Sequence, residues 1–148
     1  MDWMKISQLP PAGKNYPEGF PLHGLQVIGE QYDSNSYANL VGSFFNSGSN
    51  NALLEFFQGG LSPEISKIFT FNANSTATMP DSSVSFSFNK ANGKFSGTFK
   101  HGSPQMTTSY QGVFLRRIYS GGGFFLHDLG SLILSGQAWF GPYYSFPD

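Results

Sequence analysis

The chain has 148 residues, a formal net charge of −1 and no cysteine, and only 11% of its residues are charged. This length suits one domain with a sizeable core. The charge leaves no basic surface that could neutralise a phosphate backbone, so we predict no nucleic-acid partner. The lack of cysteine excludes a disulfide framework, a thiol nucleophile and a thiolate metal site.

Aromatic residues make up 17% of the chain, with 16 Phe, and glycine occurs 18 times. Together with abundant Ser, Asn and Thr, this composition is typical of an all-β protein with many turns. The first residues lack the cationic start and apolar run of a signal peptide, and no window approaches the roughly 20 apolar residues of a spanning helix. We therefore expect no membrane span, and we expect any export signal to lie outside this sequence.

The first half of the chain begins with an extended lead-in over residues 1–23, where four prolines disfavour a regular ladder. Hydrophobic alternation then predicts strands over 25–32, 38–46, 52–58 and 65–72, with the second and third joined as an antiparallel hairpin. Glu55 lies within the third of these strands, and we expect its carboxylate to face solvent. A polar stretch over 73–82 is predicted to be the longest surface loop.

The second half shows a clearer pattern. Val84, Phe86 and Phe88 alternate with polar residues, and the following Asn92-Gly93 pair predicts a tight hairpin. An aromatic-x-Gly-x-aromatic pattern then appears twice, over 95–99 and 110–114. With the intervening turn at 102–105, this pattern predicts that Phe95 pairs with Phe114, Gly97 with Gly112, and Phe99 with Tyr110.

Gly121-Gly122-Gly123 is predicted to form the next turn, followed by strands over 124–127 and 132–140 and an aromatic tail over 141–148. A glycine inside a strand costs about 0.5–1 kcal/mol relative to Ala, so the mid-strand glycines need a compensating role such as bending the sheet. We therefore predict an all-β fold over residues 1–148. The expected architecture is a single-domain antiparallel up-and-down β-barrel or strongly coiled β-sandwich of about 8–10 strands.

Four segments of the second half carry a distinctive pattern: NGKFSGTF at 92–99, YQGVFL at 110–115, GGGFFL at 121–126 and SG at 135–136. Together they resemble a β-rich module found near the C-terminus of large secreted bacterial multidomain proteins. The pattern of that module is roughly NGxFSGxF, FxGVxL, GxGFFL and SGxxxL. Tyr110 stands where the module often has Phe, and the segment FGPYYSF at 140–146 is not explained by it.

This resemblance implies a compact antiparallel barrel in an exported bacterial protein, secreted or held at the cell surface. It supplies no catalytic residue, because the module has no assigned activity. The chain's own residues agree with a non-catalytic role. Its nine acidic residues are scattered, so no carboxylate pair is indicated. His23, His101 and His127 show no metal-binding spacing. We predict no enzyme activity, no cofactor and no metal.

Carbohydrate binding suits this composition better. Sugar rings stack their apolar C–H faces on Trp and Tyr, while neighbouring amides and acids bind the hydroxyls. The candidate ligand-binding residues are Trp139 and Gln137 on one face of the last strand, Tyr143 and Tyr144 beside it, and Tyr32, Asp33, Asn35 and Tyr37 around a polar loop at 33–36. In that loop the Asp and Asn side chains are predicted to bond their own backbone two residues on. The alternative for each of these aromatic residues is a place in the core.

We therefore expect a non-catalytic binding module, with polysaccharide as the first ligand class. A second hypothesis is a structural or adhesion domain whose aromatic surface contacts the parent protein, another copy in a homo-oligomer, or the cell envelope. A third is a barrel that holds a small apolar ligand, with inward-facing Gly97 and Gly112 leaving a cavity.

Overall fold

The computed structural model describes residues 3–5, 20–22, 29–31, 33, 35 and 43–144, the first two ranges as backbone only. The fold is all-β, as predicted, and eight antiparallel strands form one nearly closed barrel. Two further short strands lie in the lead-in: β1 (Trp3–Lys5) and β2 (Phe20–Leu22), which pair with each other. The barrel strands are β3 (Ala52–Gln58), β4 (Ile65–Phe71), β5 (Ala77–Thr78), β6 (Ser87–Asn89), β7 (Lys94–His101), β8 (Met106–Leu115), β9 (Ser120–Asp128) and β10 (Ile133–Pro142).

The barrel strands follow one another in up-and-down order, and the last strand returns to the first. β3 pairs with both β4 and β10, and the ladder continues from β10 through β9, β8 and β7 to β6. The sheet is not closed between its two edge strands, β5 and β6. Side-chain contacts connect the two sides of this gap. The Phe69 and Phe86 rings are 5.0 Å apart across this gap, and Lys67 Nζ donates a hydrogen bond to Asp81 at 2.7 Å.

Phenylalanine fills the barrel because the inward positions of most strands are aromatic. The fully buried large side chains are Phe45, Phe56, Phe69, Phe71, Phe95, Phe99, Phe114, Phe125, Phe140 and Leu54. Burial of each such side chain contributes about 1.5–3 kcal/mol, and the rings meet in tilted and edge-to-face contacts that aromatic pairs prefer. Phe45 lies before the first barrel strand and closes one end, with its ring 5.3 Å from that of Phe140.

The pairing of β7 with β8 differs from the prediction by two residues. Phe95 lies opposite Gly112, and Gly97 lies opposite Tyr110. A shift of two residues returns every side chain to the same face, so hydrophobic alternation does not distinguish the two registers. In the observed register each glycine faces a ring rather than another glycine. The Phe95 ring covers Gly112, with Cε1 only 2.6 Å from the position that a Cβ would take.

The prediction of a cavity at the inward glycines is wrong, because aromatic side chains of the barrel occupy that space. At Gly97 the Tyr110 hydroxyl lies 2.7 Å from the position of a Cβ. That hydroxyl donates a hydrogen bond to the Ser85 carbonyl at 2.7 Å, and a Cβ at Gly97 would also collide with the Ser85 carbonyl oxygen. The glycines therefore serve close packing of rings and strands.

Gly121, Gly122 and Gly123 form part of β9 and not the predicted turn. The chain reverses instead through a 3₁₀ turn at Arg116–Ile118, followed by Tyr119 in the left-handed region with φ 55°. A Cβ at Gly121 would lie 2.7 Å from the Phe95 ring, and one at Gly123 would collide with the Gln111 carbonyl oxygen. Close approach within the sheet therefore explains this glycine run better than turn formation does.

The described parts of two predicted strands are not strands. Residues 29–31 lie outside any ladder, whereas Ser43 is helical and Phe44 lies in a turn. Phe45 is a single β-bridge residue and Asn46 has no regular structure. The other residues of the predicted strands 25–32 and 38–46 lie outside the described residues. β3 pairs with β10 and β4, and not with the segment before it. β10 therefore pairs with the edge of β3 that the predicted hairpin would have given to residues 38–46.

Three smaller differences concern the lead-in, the long loop and the tail. The lead-in carries the short β1–β2 ladder, in which Pro21 lies opposite Met4. The loop over 73–82 contains the two-residue strand β5. β10 runs two residues into the predicted tail, because β3 continues to pair with it as far as Pro142. Pairing with β9 stops at Phe140, so Pro142 needs a partner strand on one side only.

Candidate functional site

The outward side of β3, β10, β9 and β8 carries a continuous set of aromatic and amide side chains. One row across these strands consists of Phe57, Gln137, Phe124 and Gln111, each opposite the next. Rings and amides alternate in this row, and the backbones of the two Phe residues are about 10 Å apart because neighbouring strands are about 4.8 Å apart. We call the surface formed by these four residues and Trp139 the outer aromatic face.

Trp139 lies in the next row, between Glu55 on β3 and Gly122 on β9. Its six-membered ring covers Gly141, two residues further along the strand. A Cβ at Gly141 would collide with Cη2 and would lie 2.6 Å from Cζ2 and 3.2 Å from Cζ3. Gly141 therefore allows the indole to lie against the strand. Trp139 is half-buried in this position, so part of its indole stays accessible to a ligand.

Gly122 opens a hollow beside Trp139. A Cβ at this position would meet nothing within 4 Å. A shallow pocket of about 310 Å³ lies over this part of the sheet and is lined by Lys94, Gln111, Val113, Phe124 and the glycines at 112, 122 and 123. Its apolar walls, Phe124 and Val113, are 47% and 44% exposed. A small ring can therefore rest on the sheet with apolar groups and an amide around it.

The Gln137 side chain on the outer aromatic face is held by a hydrogen bond and still has an acceptor for a ligand. Gln137 Nε2 donates a hydrogen bond to the Gln58 side-chain oxygen at 2.9 Å, which fixes the amide and leaves its oxygen as an acceptor. Glu55 and Lys94 stand at opposite ends of the Trp139 row. The predicted outward orientation of Glu55 is confirmed, since its neighbours Leu54 and Phe56 are buried on the opposite side of the strand.

Of the other predicted site residues, Asp33 and Tyr144 lie at one end of the barrel. Asp33 lines a cleft at one end of the barrel, and it accepts a hydrogen bond from the Asn35 backbone N–H at 3.0 Å, which confirms the predicted turn chemistry. The Tyr144 hydroxyl donates to the Phe44 carbonyl at the same end, at 3.4 Å. Tyr143 is half-buried, and its backbone N–H donates to the Asn51 carbonyl at 2.8 Å. Tyr32 and Tyr37 lie outside the described residues.

The cleft at the end of the barrel has a volume of about 630 Å³. The Glu30 carboxylate accepts hydrogen bonds there from the backbone N–H groups of Arg116 at 2.7 Å and Arg117 at 3.0 Å. The Arg116 guanidinium lies 5.9 Å from the Phe44 ring centroid, and the Tyr119 ring packs on Phe44 at 4.9 Å. These contacts hold the 3₁₀ turn in place, so several of the cleft's polar groups already have a structural role.

Shifted pKa values occur elsewhere on the barrel. The hydrogen bond from Lys67, supported by Ser83, lowers the pKa of Asp81. Burial raises the pKa of Tyr110. Burial also lowers the pKa of His101, and the nearby His127 adds to this effect. Among the described residues, no group of three or more His, Cys, Asp or Glu side chains could hold a metal ion.

Besides Gln111, sequence reasoning missed the two phenylalanine rings of the outer aromatic face, Phe57 and Phe124. Each lies next to buried positions in its strand, so alternation alone indicates that it faces outward. Their position on either side of Gln137 depends on β10 pairing with both β3 and β9, and β3 lies far from β10 in sequence. β3 and β10 become neighbours only because the barrel closes.

No protein-family model matches the chain, and no curated protein or solved structure shows significant similarity to it. The resemblance to the bacterial module therefore stays an expectation from the sequence. No helix within the described ranges is long and apolar enough to cross a membrane.

Proposed function

We propose that this chain is a non-catalytic module that binds carbohydrate through the outer aromatic face. The observation that carries the proposal is the alternation of rings and amides in the row Phe57, Gln137, Phe124 and Gln111, beside a Trp139 ring that lies against the sheet. Of the predicted residues, Trp139 and Gln137 belong to this site.

The chemistry of this surface suits a sugar. Pyranose rings have apolar C–H faces, and an aromatic ring that lies against the sheet offers a broad surface for stacking. An amide both donates and accepts hydrogen bonds, so Gln137 and Gln111 can bind hydroxyls of either polarity. The spacing of about 10 Å between Phe57 and Phe124 is comparable with the length of a disaccharide. We therefore expect recognition of a short stretch of a glycan chain.

An exported bacterial parent protein, secreted or held at the cell surface, is part of this proposal. It is supported by the sequence resemblance, and polysaccharides are abundant outside bacterial cells.

A second candidate function is contact with protein, as a structural or adhesion domain. It is favoured by Val113 and Leu126, which continue the apolar surface beyond the row, since these two side chains and Phe124 are each more than two-fifths exposed. Large exposed apolar patches often mark interaction surfaces. Carbohydrate ranks first because two amides and two charged groups interrupt the apolar surface at regular intervals.

Affinity gel electrophoresis with laminarin, xylan, a soluble cellulose derivative and mixed-linkage β-glucan tests the proposal. We expect at least one glycan to retard the protein. Trp139→Ala and Phe124→Ala should each weaken binding about tenfold or more, because a lost stacking contact of about 1.4 kcal/mol corresponds to a factor of ten. Tyr119→Ala is the matched control, since Tyr119 is an exposed ring at the end of the barrel.

Migration that no glycan changes would reject carbohydrate binding, and so would retardation that survives both face substitutions. Light scattering of the same variants addresses the alternative. Self-association of the wild type that Phe124→Ala abolishes would favour the protein-contact function instead.

A further inference from the structure

We propose that the barrel end containing His101 and His127 binds one monovalent copper ion, with His127 Nε2, His101 and the Met106 thioether as ligands. This site shares no residue with the outer aromatic face, and it does not depend on carbohydrate binding. His101 is the last residue of β7 and lies opposite Met106, the first residue of β8. His127 lies near the end of β9, and all three residues line one pocket of about 290 Å³.

His127 is the anchor of the proposed site. Its side chain is 95% buried, since its exposed fraction is 5%. Nδ1 lies 2.9 Å from the Gly59 carbonyl oxygen. A carbonyl oxygen only accepts hydrogen bonds, so Nδ1 carries the proton and Nε2 of the neutral ring has a free lone pair. Nε2 is buried and makes no hydrogen bond. An imidazole that donates one N–H to a backbone carbonyl and leaves the other nitrogen bare has the arrangement of a metal ligand.

The second imidazole lies directly beside the first. The ring centroids of His101 and His127 are 4.4 Å apart, and the rings are nearly perpendicular at 85°. His101 Nε2 is engaged with the Thr108 hydroxyl at 2.7 Å, which leaves Nδ1 as its ligating nitrogen.

The other groups around the pocket select the metal. Its lining contains no carboxylate, and it includes one cation, Lys100. Two neutral imidazoles and a thioether make a soft, uncharged ligand set, which favours Cu(I) over harder divalent ions. The nearby ammonium group disfavours a divalent ion further. A bound anion is a poor alternative, because the bare lone pair of His127 would repel it.

Anaerobic Cu(I) titration against a chromogenic chelator tests this site. We expect the wild type to take one Cu(I) per chain from the chelator. His127→Gln, whose amide can still donate to the Gly59 carbonyl, should weaken binding by 100-fold or more, since even the partners of metal ligands contribute 10–100-fold. Met106→Leu should weaken it about tenfold. Met106 is 38% exposed, so this variant keeps the test valid if the His127 variant unfolds. Met79→Leu, which changes a thioether outside this pocket, is the control and should bind like the wild type.

Nitrogen-15 NMR of the histidine side chains gives an independent readout. We expect the His127 Nε2 signal to shift on addition of Cu(I). Failure of the wild type to take copper from the chelator would overturn the proposal. Equal affinity of the wild type and both ligand variants would do so too, as would Zn²⁺ binding at least as tight as that of Cu(I).

Discussion

Phe95 and Gly112 lie directly opposite each other on β7 and β8, and the Phe95 ring covers the glycine. The ring fills the space that a side chain at position 112 would need. A glycine that weakens its own strand therefore makes room for a fully buried aromatic residue. The same relationship recurs at Gly136, where the Phe125 ring takes the side-chain position. The close packing of the barrel interior therefore depends on aromatic rings that lie over glycines.

Gly112→Ala should destabilise the protein by about 2–3 kcal/mol and Gly112→Val by more, because each added group collides with the Phe95 ring and the Gly122 carbonyl. Gly122→Ala is the matched control on the outer side of the barrel. Nothing lies within 4 Å of its Cβ position, so we expect a change within about 1 kcal/mol. Trp139→Ala should cost less than Gly112→Val. Urea denaturation measures all four variants, and equal stability of Gly112→Val and wild type would contradict the packing argument.

Tyr110→Phe should lower the free energy of unfolding by about 1–2 kcal/mol. The Tyr110 hydroxyl donates to the Ser85 carbonyl at 2.7 Å, and its loss leaves that carbonyl without its donor inside the barrel. Tyr119→Phe is the control, because the Tyr119 ring is 56% exposed and should tolerate the change. Thermal denaturation followed by circular dichroism distinguishes the two. A Tyr110→Phe variant that melts like the wild type would show that this hydrogen bond is unimportant.

Asn51 should tolerate neither Ala nor Asp. Its side chain is buried, accepts a hydrogen bond from Phe71 N at 2.8 Å, and donates to Phe71 O at 3.0 Å and Asn46 O at 2.5 Å. Asn51→Ala leaves these backbone groups unpaired and should cost about 2–4 kcal/mol. Asn51→Asp keeps the acceptor but points a carboxylate at two carbonyls, so it should cost more at pH 7 and partly recover in acid, where the carboxyl can donate. An Asn51→Asp variant that is more stable than Asn51→Ala at pH 7 would contradict this account.

Stability should fall as the pH drops from 7.5 to 5. The folded-state pKa of His101 lies below its usual value of 6.5, chiefly because of burial and also because of His127. Between the two pKa values the unfolded chain binds more protons, so stability rises with pH. The contribution is fully present above pH 6.5 and is lost as the pH falls toward the folded-state pKa. Denaturation at several pH values should show a shallower slope for His101→Gln. An unchanged slope would assign the pH dependence to other groups.

The sequence by itself determined the fold class, several strands and the outward orientation of Glu55. Strands over 52–58 and 65–72 were predicted within one residue of the observed β3 and β4, because period-2 alternation is a local property of the chain. The Asn92-Gly93 hairpin followed from turn chemistry, and Gly93 has the expected positive φ of 67°. Part of the candidate site, Trp139 with Gln137, was visible as alternate residues on one strand.

Only the tertiary structure decided register, barrel closure and the composition of the outer aromatic face. Two registers that differ by two residues present the same faces, so only the fit of the Phe95 ring over Gly112 distinguishes them. The glycines at 121–123 have the composition of a turn, and close strand packing makes them part of β9. Phe57 and Phe124 join Trp139 because β10 lies between β3 and β9. Such contacts link residues far apart in sequence, and local patterns carry no information about which distant strand becomes a neighbour.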